Sequence, residues 1–192
     1  VHNGIIENYD ALKAELRDTH VFESDTDTEV IPHLIETHLA DDVSLVTAVQ
    51  RATTQLEGSY AIAVTAAGHD GLVIAREDSP LLIGHGDAAT YVGSDATAFI
   101  EHTDRVTYLE SGDIAHLTTG DVTIYNGGER VSRETETLEW DADAAGKSGY
   151  DHYMLKEIHE QPRALRQAIS SRINDLETTV DLDVSLPEEY LQ

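Results

Sequence analysis

Apolar residues recur at helical spacing over the first 58 positions and predict three amphipathic helices. The first lies in the stretch ENYDALKAELRDTH, where Asn8 is the expected N-cap. In the second, Thr26 and Glu29 have capping-box spacing, and Pro32 is expected to distort the helix. The third, SLVTAVQRATTQLEG, is expected to stop at Gly58.

The pattern changes after position 58 to short apolar runs that are typical of β-strands. Gly, Asp and Pro separate the runs SYAIAVTA, GLVIARE, PLLIGHG and ATYVGSD, and DATAFIEHT predicts a brief helix. A strand meander follows over residues 105–128, and RVSRETETLEW predicts one more strand. Helices followed by many strands indicate an α+β sandwich rather than alternating βαβ units.

The last quarter of the chain differs in composition. DADAAGKSGYD is typical of a flexible linker, and HYMLKEIHEQPRALRQAISSRIND predicts a pair of helices separated at Pro162. One face of this pair carries four apolar residues, Leu165, Ala168, Ile169 and Ile173. We therefore divide the chain into a folded domain, residues 1–140, and a linker with helices, residues 141–192.

Acidic residues dominate the charge of the chain. It contains 37 Asp and Glu against 12 Lys and Arg, a formal net charge of −25 that is spread along the whole length. Such a surface repels nucleic acid and anionic lipid, so we expect neither a nucleic-acid nor a membrane partner. The magnitude favours adaptation to concentrated salt, which screens the self-repulsion, over an ordinary acidic protein.

Several absences narrow the class of protein. There is no cysteine, which excludes disulfides and thiolate metal sites within these residues. No apolar run approaches the roughly 18 residues that span a bilayer, and no signal segment opens the chain, so we expect a cytoplasmic protein. Because Val1 is not an initiator methionine, we expect the natural N-terminus to lie upstream.

Asn3 and Gly4 form an Asn-Gly pair with two interpretations. The pair is common in hairpin turns, but the residues after it run into a predicted helix and not into a return strand. The alternative is an oxyanion hole, in which the Asn3 side chain and the Gly4 backbone each offer an N–H to a developing negative charge. Glycine suits this role because it lacks a Cβ and allows positive φ.

Asp27 also has two interpretations. A carboxylate in the first turn of a helix interacts favourably with the helix dipole and the free N–H groups. Alternatively, the same carboxylate could bind the ammonium group of a substrate, and the dipole would help keep it ionised.

Other candidate chemistry is weak. His33 and His38 are five residues apart and do not share a helix face, and no HExxH motif exists, so we predict no metal site. The run LLIGHGD lacks the third glycine and the following helix of a dinucleotide loop, and no serine has a GxSxG frame. We predict no cofactor.

The runs VHNGIIENY and SDTDTEVIPHLIE resemble the class II glutamine amidotransferases, whose nucleophile is an N-terminal cysteine. The similarity continues through LEGSYAIAV, SPLLIG, YVGSDATAF, YLESGDIAHL and HYMLKEIHEQP, and it covers roughly residues 1–175. HYMLKEIHEQP looks like the junction between the glutaminase and sugar isomerase domains of the glutamine–fructose-6-phosphate aminotransferases, the branch that the chain resembles most. Phosphoribosylpyrophosphate amidotransferases share HNG and DTE elements but lack that junction.

The resemblance implies a four-layer αββα N-terminal-nucleophile sandwich, truncated at its N-terminus, for residues 1–140, followed by a linker and helices over residues 141–192. In the glutamine–fructose-6-phosphate aminotransferases the cysteine attacks the glutamine amide. The released ammonia travels to fructose 6-phosphate, which becomes glucosamine 6-phosphate. Asn3 and Gly4 match the oxyanion-hole pair, and Asp27 matches the acid that holds the glutamine α-ammonium. The resemblance also implies a homodimer, formed through the sugar isomerase domain.

The chain departs from the family pattern because it has no cysteine, no preceding arginine-bearing loop and no early strands. We therefore expect a fragment that does not turn over glutamine alone, from a parent that is an enzyme. Two alternatives stay open: another class II amidotransferase, such as the phosphoribosylpyrophosphate enzyme, and a non-catalytic module with the same fold.

Overall fold

The computed structural model describes residues 1–138, 150–170, 173–174 and 179–180. The chain divides into two compact units, Val1–Trp140 and Asp141–Gln192. The roles assigned to these two regions, a glutaminase domain and a linker with helices, stay predictions.

Three helices and one short 3-10 helix precede most of the strands, as the periodicity predicts. They are α1 (Tyr9–Leu16), the 3-10 helix Asp27–Glu29, α2 (Val30–Leu39) and α3 (Leu45–Thr53). Their apolar faces are buried, as expected from the i, i+3, i+4 spacing. The buried residues are Leu12, Leu16, Val30, Ile31, Leu34, Ile35, Leu45, Ala48, Val49 and Ala52.

The predicted bend at Pro32 is wrong because α2 starts later than the pattern suggests. The helix begins at Val30, so Pro32 lies in its first turn, where a backbone N–H has no partner inside the helix. The predicted capping box is also wrong. Thr26 makes no side-chain capping bond, and the Glu29 carboxylate accepts hydrogen bonds from the backbone N–H groups of Glu23 and Ser24 instead.

Two other helix ends differ from the predictions. Asn8 precedes α1, but its side chain makes no capping bond; it bridges the Gln55 carbonyl and the Glu57 N–H, at 2.8 and 3.0 Å. Helix α3 ends at Thr53, and Gly58 is the first residue of a strand rather than the helix stop. Helix α1 therefore begins directly after Asn8, as predicted, whereas α3 ends earlier than predicted.

Ten strands of the first unit form two antiparallel sheets. The six-stranded sheet has the order β1-β2-β3-β7-β8-β9, and the four-stranded sheet has the order β10-β6-β4-β5. The strands are β1 His2–Ile6, β2 Gly58–Val64, β3 Leu72–Glu77, β4 Leu82–His85, β5 Thr90–Gly93, β6 Arg105–Tyr108, β7 Asp113–Thr118, β8 Asp121–Asn126, β9 Glu129–Val131 and β10 Thr135–Thr137. A 3-10 helix, Ala96–Ala98, occupies the predicted brief helix.

The six-stranded sheet buries both of its faces. Ile62, Val73 and Ala75 pack with the helices, whereas their neighbours Ala61 and Ile74 pack with the four-stranded sheet. This division follows from the alternation of side chains along a strand. The described residues thus form a helical layer over two sheets, which confirms the α+β class. The fourth layer and the truncation stay predictions.

The single strand predicted in RVSRETETLEW is in fact two strands, in different sheets. β9 pairs with β8, and β10 pairs with β6, so residues 132–134 carry the chain from one sheet to the other. The fully buried carboxylate of Asp113 holds this crossover. It accepts hydrogen bonds from Arg133 Nε and Nη2, at 2.9 and 2.8 Å, from Asn126 Nδ2 at 2.8 Å and from the Glu110 N–H at 2.7 Å.

Burial by itself would raise the pKa of Asp113, but the hydrogen bonds from Arg133, Asn126 and Glu110 outweigh it and lower the pKa below its ordinary value. The carboxylate is therefore ionised at neutral pH, and its charge is balanced by Arg133.

The described residues of the second unit form one helix, α4 (Tyr153–Ser170), and a two-stranded sheet of Ile173–Asn174 and Thr179–Val180. The predicted pair of helices is wrong, because α4 continues through Pro162. Residues 141–149 of the predicted linker, and the side chains of Ala168, Ile169 and Ile173, lie outside the described residues. Among the described residues, no helix has the length and apolar character to span a bilayer.

Candidate functional site

Strand β1, which carries Asn3 and Gly4, lies at an edge of the six-stranded sheet. Among the described residues it pairs only with β2. Val1 and Ala63 exchange both backbone hydrogen bonds, and the Glu7 N–H donates to the Glu57 carbonyl. In an antiparallel pair, residues that hydrogen-bond to the partner strand alternate with residues whose N–H groups point away from it. The N–H groups of His2, Gly4 and Ile6 therefore point away from β2.

Position 4 of β1 can be occupied only by glycine. Its φ is +123°, and a Cβ would overlap the Ser59 carbonyl oxygen and come within 2.8 Å of Tyr60 Cα. Asn3 and Gly4 thus lie inside a strand, and the hairpin-turn interpretation of the Asn-Gly pair is wrong. The backbone conformation turns the Gly4 N–H to the free edge of the sheet.

Asn3 presents its exposed side chain on the face of the six-stranded sheet that also packs on the second sheet. Its Nδ2 donates a hydrogen bond of 3.0 Å to Ser94 Oγ, in the residue that follows β5. Both residues line a cleft of about 720 Å³, which is bordered by β1, β2, β5 and the first half of α2. The cleft has the size of a small-molecule site.

Asp27 lies at the start of the short 3-10 helix, half-buried beside the same free edge. Its Oδ2 accepts a 2.8 Å hydrogen bond from the outward N–H of Ile6, two residues beyond Gly4. Oδ1 has no hydrogen-bond donor among the described residues. The carboxylate is therefore fastened by one oxygen, and its other oxygen is available to a ligand at the edge that Gly4 faces.

His2 is a residue of this region that the sequence analysis missed. Its Nδ1 lies 2.9 Å from Thr28 Oγ1, and its Nε2 is buried without a hydrogen-bond partner among the described residues. Burial lowers the pKa of His2, against the opposing effect of Asp27, so the imidazole is neutral at pH 7. The period of a strand could have indicated that His2 and Gly4 share one side of β1.

The structure thus brings Gly4 and Asp27 to one free edge, and it turns Asn3 into the adjoining cleft. The oxyanion role of Asn3 and Gly4 and the ammonium-binding role of Asp27 stay predictions, as do the expected absences of a cofactor and a metal.

Glu29, next to this region, gives the structure a pH dependence. The Ser24 hydroxyl, the Glu23 and Ser24 N–H groups and His33 lower the pKa of Glu29 to about 2. A carboxyl whose folded pKa is depressed stabilises the fold above its unfolded pKa and loses that effect as the pH falls toward its folded pKa. We therefore expect Glu29→Gln to lower the melting temperature at pH 7, with a smaller difference at pH 3, as measured by circular dichroism.

The matched control for Glu29→Gln is Glu15→Gln, on the exposed face of α1. This variant should have the same melting temperature as the unmodified protein at both pH values. A Glu29→Gln deficit of equal size at pH 7 and pH 3 would contradict the assignment.

The fold places a cleft of small-molecule size beside β1 and α2, and comparison with known proteins identifies the family. The model of the glutamine amidotransferase domain matches residues 1–101, more than half of the chain. The chain therefore belongs to the glutamine amidotransferase domain family.

The relatives of the chain carry the name of one particular enzyme of this family. A glutamine–fructose-6-phosphate aminotransferase (isomerizing) of Halobacterium salinarum is 75% identical over all 192 residues, which cover 32% of that protein. The enzyme of the same name from Methanothermobacter thermautotrophicus is 45% identical over 88% of this chain and 29% of its own length. The chain thus spans about a third of the curated relatives that it matches.

Among solved structures, a glutamine phosphoribosylpyrophosphate amidotransferase from B. subtilis matches with a TM-score of 0.48 and 26% identity, over 71% of this chain and 28% of that one. The resemblance to class II glutamine amidotransferases is confirmed by the family match and by the names of the relatives.

Proposed function

We propose that this chain is the glutamine-handling portion of a glutamine–fructose-6-phosphate aminotransferase. Such an enzyme hydrolyses glutamine and transfers the ammonia to fructose 6-phosphate, which gives glucosamine 6-phosphate and glutamate. The relatives of that name match the chain from end to end, or nearly so. The observation that carries the proposal is that the outward N–H of Gly4 and the fastened carboxylate of Asp27 share one sheet edge.

Asn3 and Gly4 are the proposed oxyanion hole. When a nucleophile adds to the side-chain amide of glutamine, the carbonyl oxygen gains a negative charge. The Gly4 backbone N–H and the Asn3 Nδ2 would donate hydrogen bonds to that oxygen, and such donors stabilise the transition state more than the ground state. The Ser94 hydroxyl, 3.0 Å from Asn3 Nδ2, supports the orientation of the amide.

The nucleophile must lie outside these 192 residues, because they contain no cysteine. In the proposed parent it is the α-amine-activated cysteine at the N-terminus, which makes the chain alone inactive. The missing layer of the four-layer sandwich would be completed by the same upstream residues.

Asp27 is the proposed site of the glutamine α-ammonium. Its Oδ2 is held by the Ile6 N–H, so Oδ1 is oriented toward the ligand without loss of side-chain freedom on binding. A charge-assisted hydrogen bond between carboxylate and ammonium is roughly twice as strong as a neutral one.

The remaining parts of the proposal concern the parent protein. Fructose 6-phosphate would bind in a sugar isomerase domain beyond this chain, which would also form the homodimer. We propose a cytoplasmic enzyme of a salt-adapted organism, in keeping with the net charge of −25 and with the relative from the halophilic archaeon Halobacterium salinarum. A phosphoribosylpyrophosphate amidotransferase is the weaker candidate, because the relatives described above carry the aminotransferase name.

Asp27→Asn provides the test of this function in the parent enzyme. The amide oxygen of asparagine can still accept the Ile6 hydrogen bond, so the fold should persist while the charge is lost. Loss of a hydrogen bond between charged groups is worth about 1.5–3 kcal/mol, so we expect the KM for glutamine to rise roughly 10- to 100-fold. The rate of glucosamine 6-phosphate formation from added ammonia should stay unchanged.

Asp25→Asn is the matched control, since Asp25 is an exposed aspartate two residues earlier. It should leave both activities intact. An unchanged KM for glutamine in Asp27→Asn would remove Asp27 from its proposed role. A parent that releases no glutamate from glutamine would overturn the proposed function as a whole.

A further inference from the structure

Three side chains with metal-binding chemistry meet between the segment after α1 and helix α2. His20 follows α1, and His33 and Glu36 lie three residues apart on α2. One possible ligand atom from each lies within 4.8 Å of the other two. Glu36 Oε2 is 3.5 Å from His20 Nε2 and 3.9 Å from His33 Nδ1.

These separations are close to those that a tetrahedral zinc site requires. Zinc binds histidine nitrogen at about 2.0–2.1 Å and carboxylate oxygen at about 2.0–2.2 Å, which places neighbouring ligand atoms roughly 3.3–3.5 Å apart. The Glu36 side chain is 72% exposed, so it can move the few tenths of an ångström that separate 3.9 Å from this range.

The second nitrogen of each imidazole already faces an oxygen. Thr19 Oγ1 lies 2.9 Å from His20 Nδ1, which leaves Nε2 for a metal. Glu29 Oε1 lies 3.6 Å from His33 Nε2, a buried atom without a hydrogen-bond partner among the described residues. Metal-bound histidines commonly donate their other N–H to a carboxylate or a similar acceptor, which fixes the tautomer and the ring orientation.

Packing holds the two imidazoles in place before any ion binds. The rings of His20 and His33 are 4.8 Å apart, and Phe22 packs edge-on against His33 at 4.7 Å. Their side chains are only 12% and 19% exposed. A preorganised pair of this kind loses little side-chain entropy on binding.

We propose that His20, His33 and Glu36 bind one Zn²⁺ ion, with the fourth position open to water. Two imidazoles favour zinc over Mg²⁺ or Ca²⁺, which prefer all-oxygen ligand sets. The ion would join the segment after α1 to α2 and so stabilise the helical layer. The prediction of no metal site rests on the spacing of His33 and His38 along one helix, whereas His20 comes from another element.

The test is calorimetric titration of the parent enzyme with Zn²⁺, after EDTA has removed any bound metal. About 2 M KCl and excess Mg²⁺ should be present, because a net charge of −25 attracts cations without a specific site and salt screens that attraction. We expect one Zn²⁺ per chain and a higher melting temperature with the ion than without it. Cobalt(II) at the same site should give the visible absorption of a tetrahedral complex.

Glu36→Gln and His33→Gln should each weaken Zn²⁺ binding at least 10-fold and abolish the thermal shift. His38→Gln is the matched control on the same helix; His38 lies 2.7 Å from the Gln55 side chain and takes no part in the cluster, so binding should be unchanged. Glu36→Gln alters an exposed side chain, and its folding is checked by circular dichroism. Zinc binding that is undetectable, that survives in both cluster variants or that falls equally in His38→Gln would overturn the proposal.

Discussion

Asn3→Ala in the parent enzyme is expected to lower glutamine-dependent turnover about 10²–10³-fold, the usual cost of removing one oxyanion-hole donor. The Asn3 side chain lies in the cleft with one Nδ2 hydrogen donated to Ser94 Oγ, and we propose that the second N–H of this nitrogen stabilises the charged adduct. The loss should fall on kcat, with a smaller change in KM, because the interaction strengthens only in the transition state. Glutamate release and glucosamine 6-phosphate formation are the two measurements.

Synthesis from added ammonia separates this role from a structural one. It bypasses the glutamine adduct, so Asn3→Ala should retain it. Ser94→Ala is the informative comparison, because it removes the contact that Asn3 makes in this structure but leaves both proposed donors. Equal losses of the ammonia-dependent and glutamine-dependent rates in Asn3→Ala would show that Asn3 acts by supporting the fold.

Asp113→Ala is expected to destabilise the protein by about 3–5 kcal/mol, since it removes a fully buried carboxylate and leaves the exposed Glu110 carboxylate, 3.0 Å away, as the remaining ion-pair partner of Arg133 among the described residues. Arg133 would lose two hydrogen bonds, and Asn126 and the Glu110 N–H would lose one each. For a unit of this size the melting temperature should fall by about 10 °C. Thermal denaturation followed by circular dichroism measures the effect, and high salt should reduce it little because the pair is buried.

Asp121→Ala is the control for Asp113→Ala, since Asp121 also begins a strand but is exposed. It should have little effect. In the double variant Asp113→Ala/Arg133→Met, part of the lost stability should return, because the guanidinium that has lost its buried partner is replaced by an apolar side chain. A double variant that is as unstable as the sum of the single variants would contradict the proposed cause.

Local periodicity accounts for most of the helical layer and for the positions of most strands along the chain, but not for their order in the two sheets. The buried faces of α1, α2 and α3 follow from apolar spacing because each helix packs one stripe on a sheet. The crossover over residues 132–134 could not be predicted, because β9 and β10 are short and largely polar. Their sheets are chosen by pairing and by the Asp113–Arg133 contact, which joins residues 20 positions apart.

The residues of the candidate site come from the resemblance and their roles stay predictions, whereas their geometry comes from the structure alone. The resemblance singled out Asn3, Gly4 and Asp27, and the family match supports the resemblance. The direction of the Gly4 N–H depends on the register with β2, and the position of Asp27 depends on a hydrogen bond to Ile6 across 21 residues. Neither leaves a signal in local spacing. The same holds for the Asn3–Ser94 contact, which spans 91 residues.

The hydrogen bond between the Ile6 N–H and Asp27 also limits the pairing of β1 with a strand from another chain. An edge strand invites another chain to extend the sheet, and β1 offers outward N–H groups at His2 and Gly4. Further along, Asp27 already occupies the Ile6 N–H, and its negative charge would repel the carbonyl oxygens of an incoming strand. An incoming strand could therefore pair with β1 only over His2–Gly4. The carboxylate that we assign to glutamine would thus double as a gatekeeper of solubility.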